Sequence, residues 1–116
     1  MADLPFSPYR RVGDLVFLSG ELGRLPGTMT LAPGGIQAET RQCLMNIQAT
    51  LATLGLGLDA VVKAQVFMAD FGEWAAMNAV WTDMFAAPLP ARSALGANGL
   101  ALGARVEIEC IAAFPA

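Results

Sequence analysis

With 116 residues, no histidine and a formal net charge of -3, the chain has room for one domain, residues 1–116, burying roughly two thirds of its unfolded surface, and none for a separate cofactor module. Its seven Lys and Arg residues are scattered, adjacent only at Arg10 and Arg11, so no basic groove tracks phosphates and nucleic acid is not an expected partner. Hydrophobic residues make up 55% and charged ones 15%, against about 45–50% and about 25% in ordinary domains, an excess that points to surface buried between subunits.

The opening Met1-Ala2-Asp3-Leu4-Pro5-Phe6 lacks the charged stretch and apolar core of a signal peptide. Val12-Gly13-Asp14 reads as a turn, and residues 15–19 as a short strand of β-favouring residues ended by Gly20. Residues 23–35 hold four glycines and two prolines, which predicts a loop with at most a short strand. From Ile36 the period changes. Ile36, Thr40, Cys43, Leu44, Ile47, Leu51 and Leu54 recur at helical spacing, with Glu39, Arg41, Gln42, Asn46 and Gln48 on the other face; Gly55 closes this helix.

Val61 to Met68 follows as a strand with apolar residues on both alternating faces, Val62, Ala64, Val66 and Met68 on one and Val61 and Phe67 on the other. Trp74, Met77, Trp81, Met84 and Phe85 mark a second amphipathic helix whose stripe reads as core, stopped by Pro88 and Pro90. Two strands finish the chain, at about residues 92–97 and 104–113, separated by the Asn98-Gly99 turn signal and Gly103. The layout is α+β: a mixed β-sheet with two helices packed on one face. The other face would expose a patch larger than a monomer tolerates, so a closed homo-oligomer is expected.

No stretch is a membrane span: the longest charge-free run that could be helical, residues 43–58, falls short of the roughly 20 residues required. Cys43 and Cys110 sit among apolar neighbours with no CxxC and no histidine to complete a metal site, so both read as buried thiols in a reducing cytoplasm. The missing histidine also removes Ser-His-Asp, Cys-His and HExxH chemistry. Gly55-Leu56-Gly57 follows a helix rather than opening one, and is a cap rather than a phosphate cradle.

Chemistry falls to arginine and glutamate. Arg92, stiffened by Pro90, leads a run to Ala104 with no other charge. Such a guanidinium is either tied to Glu107 or Glu109 or waits for an anion, and its planar fork suits a carboxylate. Glu107 and Glu109 share one face of the last strand, with Arg105 two residues before, while Val106, Ile108 and Cys110 point the other way. At least one of these acids is expected in a surface or interface ion pair; the other, raised toward neutrality by partial burial, can orient a water as general base.

Over residues 5–112 the chain resembles the RidA family of reactive-intermediate deaminases, the YjgF-type proteins. The matching segments include Val12-Gly13-Asp14-Leu15-Val16-Phe17-Leu18-Ser19-Gly20, Val61-Val62-Lys63-Ala64-Gln65-Val66-Phe67-Met68, Pro90-Ala91-Arg92-Ser93 and Gly103-Ala104-Arg105-Val106-Glu107-Ile108-Glu109. The resemblance implies a chorismate-mutase-like fold assembled as a homotrimer, helices outside and sheets inward, with a site in each cleft between subunits. It also implies cofactor-independent hydrolysis of 2-imino acids and their enamines to 2-oxo acids and ammonia. By the same resemblance Arg92 binds the substrate carboxylate, Glu107 positions water and Glu109 is the neighbouring acid, while Ser19 and Asn78 line the cleft. Ala94 stands where cysteine is frequent, Phe6 where tyrosine is, Glu21 where glutamine is, and Ala101 where proline is. The lost polar groups at Phe6 and Ala94 favour an alternative, a non-catalytic protein binding small carboxylate metabolites in the same clefts.

Overall fold

Gly13, at φ 59, turns the chain between β1 (Tyr9–Val12) and β2 (Leu15–Leu18), a left-handed position that a residue with a Cβ adopts at a cost. The computed structural model describes residues 4–116, so the opening read against a signal peptide begins outside the described residues. After β3 (Glu21–Leu22) come α1 (Ile36–Ala52), β4 (Val61–Met68), α2 (Trp74–Met84), β5 (Ala91–Gly96) and β6 (Val106–Ala113). The strands form one sheet in the order β1-β2-β6-β4-β5, with β3 also on β6. Every pairing is antiparallel except β4 with β5, which are joined through α2 as a parallel pair requires.

Both helices lie on one face. There Val16, Leu18, Ala64, Val66, Met68, Val106, Ile108, Cys110 and Ala112 are buried together with Leu44, Ile47, Leu51, Met77 and Trp81. The intervening residues of β2 and β6 are exposed or half-buried, leaving an open face on which Leu15, Phe17 and Leu95 stand more than two-fifths exposed. Gly55 closes α1 as expected, its N–H donating to the Ala52 carbonyl at 3.0 Å while the Leu56 N–H donates to Leu51 at 3.0 Å, the pair of bonds of a Schellman cap. Both cysteines are buried free thiols.

Several expectations are corrected. Tyr9–Val12 is a strand that the turn reading did not include: its Arg10-Arg11 pair and exposed pattern hide the alternation, because it is an edge with little to bury. The short strand expected in residues 23–35 lies just before them at Glu21–Leu22, and the loop itself makes a single bridge between Arg24 and Leu31. Glu39, assigned to the solvent face of α1, is 5% exposed; its Oε1 accepts the Arg105 N–H at 2.9 Å. Asn46, on the same assigned face, is half-buried and donates to the carbonyls of Leu22 and Arg24.

In β4 a register shift between Val61 and Lys63 bulges Val62 outward, so Val61 joins the core and Lys63, Gln65 and Phe67 line the open face. Finally, Asn98-Gly99 does not close a hairpin. β5 and β6 are separated by β4, and β6 begins at Val106, after a short helical turn at Ala101–Gly103.

Candidate active site

Arg92 lies on the edge strand β5, paired with Ala64 and thus on the helix-covered face. Its guanidinium carbon sits 4.9 Å from the centroid of the Trp81 ring, and Nη1 is 3.8 Å from Met77 Sδ. Both partners are buried residues of α2, one helical turn apart. Among the described residues no carboxylate pairs with this guanidinium, and burial without an acid lowers its affinity for the proton; an arginine stays charged regardless. A half-buried cation seated on an aromatic face and a thioether keeps its outward N–H donors available. Asn78 follows Met77 on α2, and its Oδ1 is buried with no hydrogen-bond partner among the described residues. Ala94, two residues along β5, is half-buried on the same face as Arg92.

Glu107 belongs to a different place. It and Glu109 lie on the open face of β6, alternating with buried Val106, Ile108 and Cys110 as the sequence implies. Neither acid is ion-paired among the described residues of the protomer; Arg105 pairs with Glu73 at 2.6 Å. Gly20 packs so closely that a Cβ there would overlap Oε2 of Glu107. Burial, then the charges of Glu109 and Glu21, raise the Glu107 carboxyl above the ordinary range. Beside it Ser19 Oγ donates to the Ser7 carbonyl at 2.5 Å, and the Ser19 N–H to Pro8 at 3.0 Å, tying the segment that carries Phe6 to the end of β2. Phe6, Ser19, Gly20, Glu21, Ala101 and Leu102 line a cavity of about 370 Å³. Glu109 lies apart from it, lining a second cavity of about 290 Å³ with Lys63, Gln65 and Phe17.

Within one protomer these two groups do not meet. Glu107 pairs with Phe67 and Phe67 with Leu95, so Arg92 is two strands across, about 10 Å, three residues along, and on the opposite side of the sheet. The structure thus gathers Arg92, Asn78 and Ala94 at one end, Ser19, Phe6 and Glu107 at another, and leaves Glu109 with neither. Trp81 and Met77, read as core, are core; their second role as the seat of Arg92 was not foreseen, and the only signal for it is their i, i+4 spacing before an unpaired arginine. Among the described residues no cluster of His, Cys, Asp and Glu could hold a metal ion, and no helix is long and apolar enough to cross a membrane.

The sequence model of the family described as endoribonuclease L-PSP matches residues 1–114. The chain belongs to this family, that of the RidA and YjgF proteins. The 2-iminobutanoate/2-iminopropanoate deaminase of Capra hircus is 40% identical over 108 residues, 93% of this chain and 79% of the goat protein. A RutC family protein of Sinorhizobium fredii is 38% identical over 92% of this chain and 85% of its own. Among solved structures, RidA from an Antarctic Psychrobacter superposes with a TM-score of 0.92 at 36% identity, covering 98% of this chain and 92% of that one. Escherichia coli TdcF, solved with bound serine, does so at 0.91 and 30% identity, covering 98% and 91%.

Proposed function

We propose that this RidA-family chain is a cofactor-independent imine deaminase that works as a homotrimer, each site joining the Arg92 group of one subunit to the Glu107 group of the next. An α-imino acid presents a carboxylate and, one carbon away, an electrophilic C=N. Arg92 grips the carboxylate through charge-assisted hydrogen bonds. Glu107 takes a proton from water as the water oxygen bonds to the imine carbon and the C=N π pair moves to nitrogen; the nitrogen receives that proton back from Glu107 and then the remaining hydroxyl proton. The C–N bond then breaks as C=O forms, so that imine and water give a 2-oxo acid and ammonia. An electrophile this strong needs a positioned water and a clamp rather than a metal or covalent nucleophile.

The observation that carries the reading is the acid-free seat of Arg92 on Trp81 and Met77. The separation of the two groups within a protomer fits a cleft shared between subunits, and the half-exposed apolar residues of the open face fit burial against neighbours. The upward shift of the Glu107 carboxyl, caused first by burial, is in the direction that strengthens a general base, and the two buried thiols suit a reducing cytoplasm. The deciding assay generates 2-iminopropanoate in situ and follows its lifetime. Acceleration by the protein, lost in Arg92→Ala with assembly intact, is the expected result. The second reading, a carboxylate-binding protein without turnover, is favoured by Phe6 and Ala94, and it predicts 2-oxo acid binding with the imine lifetime unchanged.

A further inference from the structure

Resting on the deaminase reading, we infer that Arg105 is a positioning residue: it ties the strand that carries Glu107 to the helix that seats Arg92, and touches no substrate itself. Arg105 stands one residue before β6 and two before Glu107, and three elements hold it there. From α1, the Glu39 carboxylate, 5% exposed, accepts the Arg105 N–H through Oε1 at 2.9 Å. Just past β4, the Ala69 N–H donates to the Arg105 carbonyl at 3.0 Å. At the start of α2, Glu73 Oε1 accepts from Nε at 2.7 Å and lies 2.6 Å from Nη2. Ala104 and Val106 are buried on either side, so backbone and side chain together fix the entry to β6.

Glu73 carries the link to the other reacting group. It is the N-cap of α2, and Glu73, Met77 and Trp81 follow one another at i, i+4 spacing along a single stripe. Met77 and Trp81 are the residues under the Arg92 guanidinium. A displacement at Glu73 is therefore passed along the helix to the clamp, while a displacement at Arg105 is passed along β6 to Glu107. Stability does not account for the bridge. Its side chains are 40% and 23% exposed, a setting in which ion pairs contribute little. The helix dipole favours an acid at this end of α2 but opposes a cation beside it, so Glu73 alone would serve the helix better.

The test is steady-state kinetics on 2-iminopropanoate made in situ, with Arg105→Met, Glu73→Gln and the double variant, each checked for melting temperature and assembly. A misplacement of about 1 Å at a reacting group costs up to about a hundredfold in rate, so Arg105→Met is expected to lower kcat by about tenfold. The same variant is expected to raise KM, because the Arg92 seat moves with α2. Glu73→Gln should follow it, and the double variant should lose no more than the worse single one, as two residues acting as a unit do. Arg105→Lys, which keeps a cation for Glu73, should restore most of the loss. A merely structural bridge would lower melting temperatures and leave kcat and KM unchanged. That result, or independent and additive losses in the double variant, overturns the positioning role while the deaminase reading stands. Failure of the wild type to accelerate any imine overturns the deaminase reading and the positioning role with it.

Discussion

The Arg92 seat and the Glu107 pocket prepare their groups by opposite means. At Arg92 the work is done by side chains: an aromatic ring and a thioether from the buried stripe of α2 hold a cation that no acid among the described residues of the protomer neutralises. At Glu107 the work is done by backbone: a glycine admits the carboxylate, and burial beside two other acids shifts its titration. The first place can be disturbed by changing what lies under the cation, the second by adding a single carbon. Neither group completes a site in its own protomer.

The largest effect should come from the clamp itself. Arg92→Ala removes charge-assisted hydrogen bonds worth roughly 1.5–3 kcal/mol each, so two of them amount to about a 10²- to 10⁴-fold loss in kcat/KM, with sedimentation showing an unchanged oligomer. Glu107→Gln is expected to cost about 10²- to 10⁴-fold in kcat while raising the melting temperature at pH 7. Because folding raises this carboxyl's pKa, the stability tied to its bound proton is present at low pH and lost as pH rises through the folded value, so a permanently neutral glutamine removes that loss. In the wild type, kcat/KM should fall with decreasing pH at a pH above that of an ordinary carboxylate; a fall centred in the ordinary range would contradict a buried base.

Gly20→Ala should reproduce much of the Glu107→Gln defect, since the added methyl would overlap the carboxylate. Normal kinetics in that variant would mean that the close approach has no role. The smallest effect belongs to Trp81→Leu. A cation–π seat is worth about 0.5–2 kcal/mol, so KM should rise by up to about thirtyfold with kcat less affected, and Trp81→Tyr should restore most of it. A purely structural role would instead lower thermal stability without separating KM from kcat.

Much of this arrangement is legible in the sequence where a period is strong. The 3.6-residue pattern and Gly55 give α1, and the alternation from Val106 to Ala113 puts both glutamates on the open face. Legibility fails where tertiary partners override a local rule. Glu39 reads as a solvent residue until the Arg105 N–H is brought to it from the start of β6, and no spacing encodes that meeting. The bulge at Val62 flips the parity of β4, which single-strand alternation cannot register. The candidate site divides in the same way. The identities of Arg92 and Glu107 stand out in a chain without histidine, but the sheet that separates them, and the Trp81 ring beneath the cation, become visible only once the strand order is known.

The most direct test of a site shared between subunits is to co-express Arg92→Ala with Glu107→Gln chains and assay the mixed trimers. In a cyclic trimer each mixed assembly regains one cleft with both groups intact, so random mixing should restore about a quarter of wild-type imine hydrolysis from two inactive parents. Mixed trimers as inactive as either parent would show that Arg92 and Glu107 do not meet across a subunit boundary.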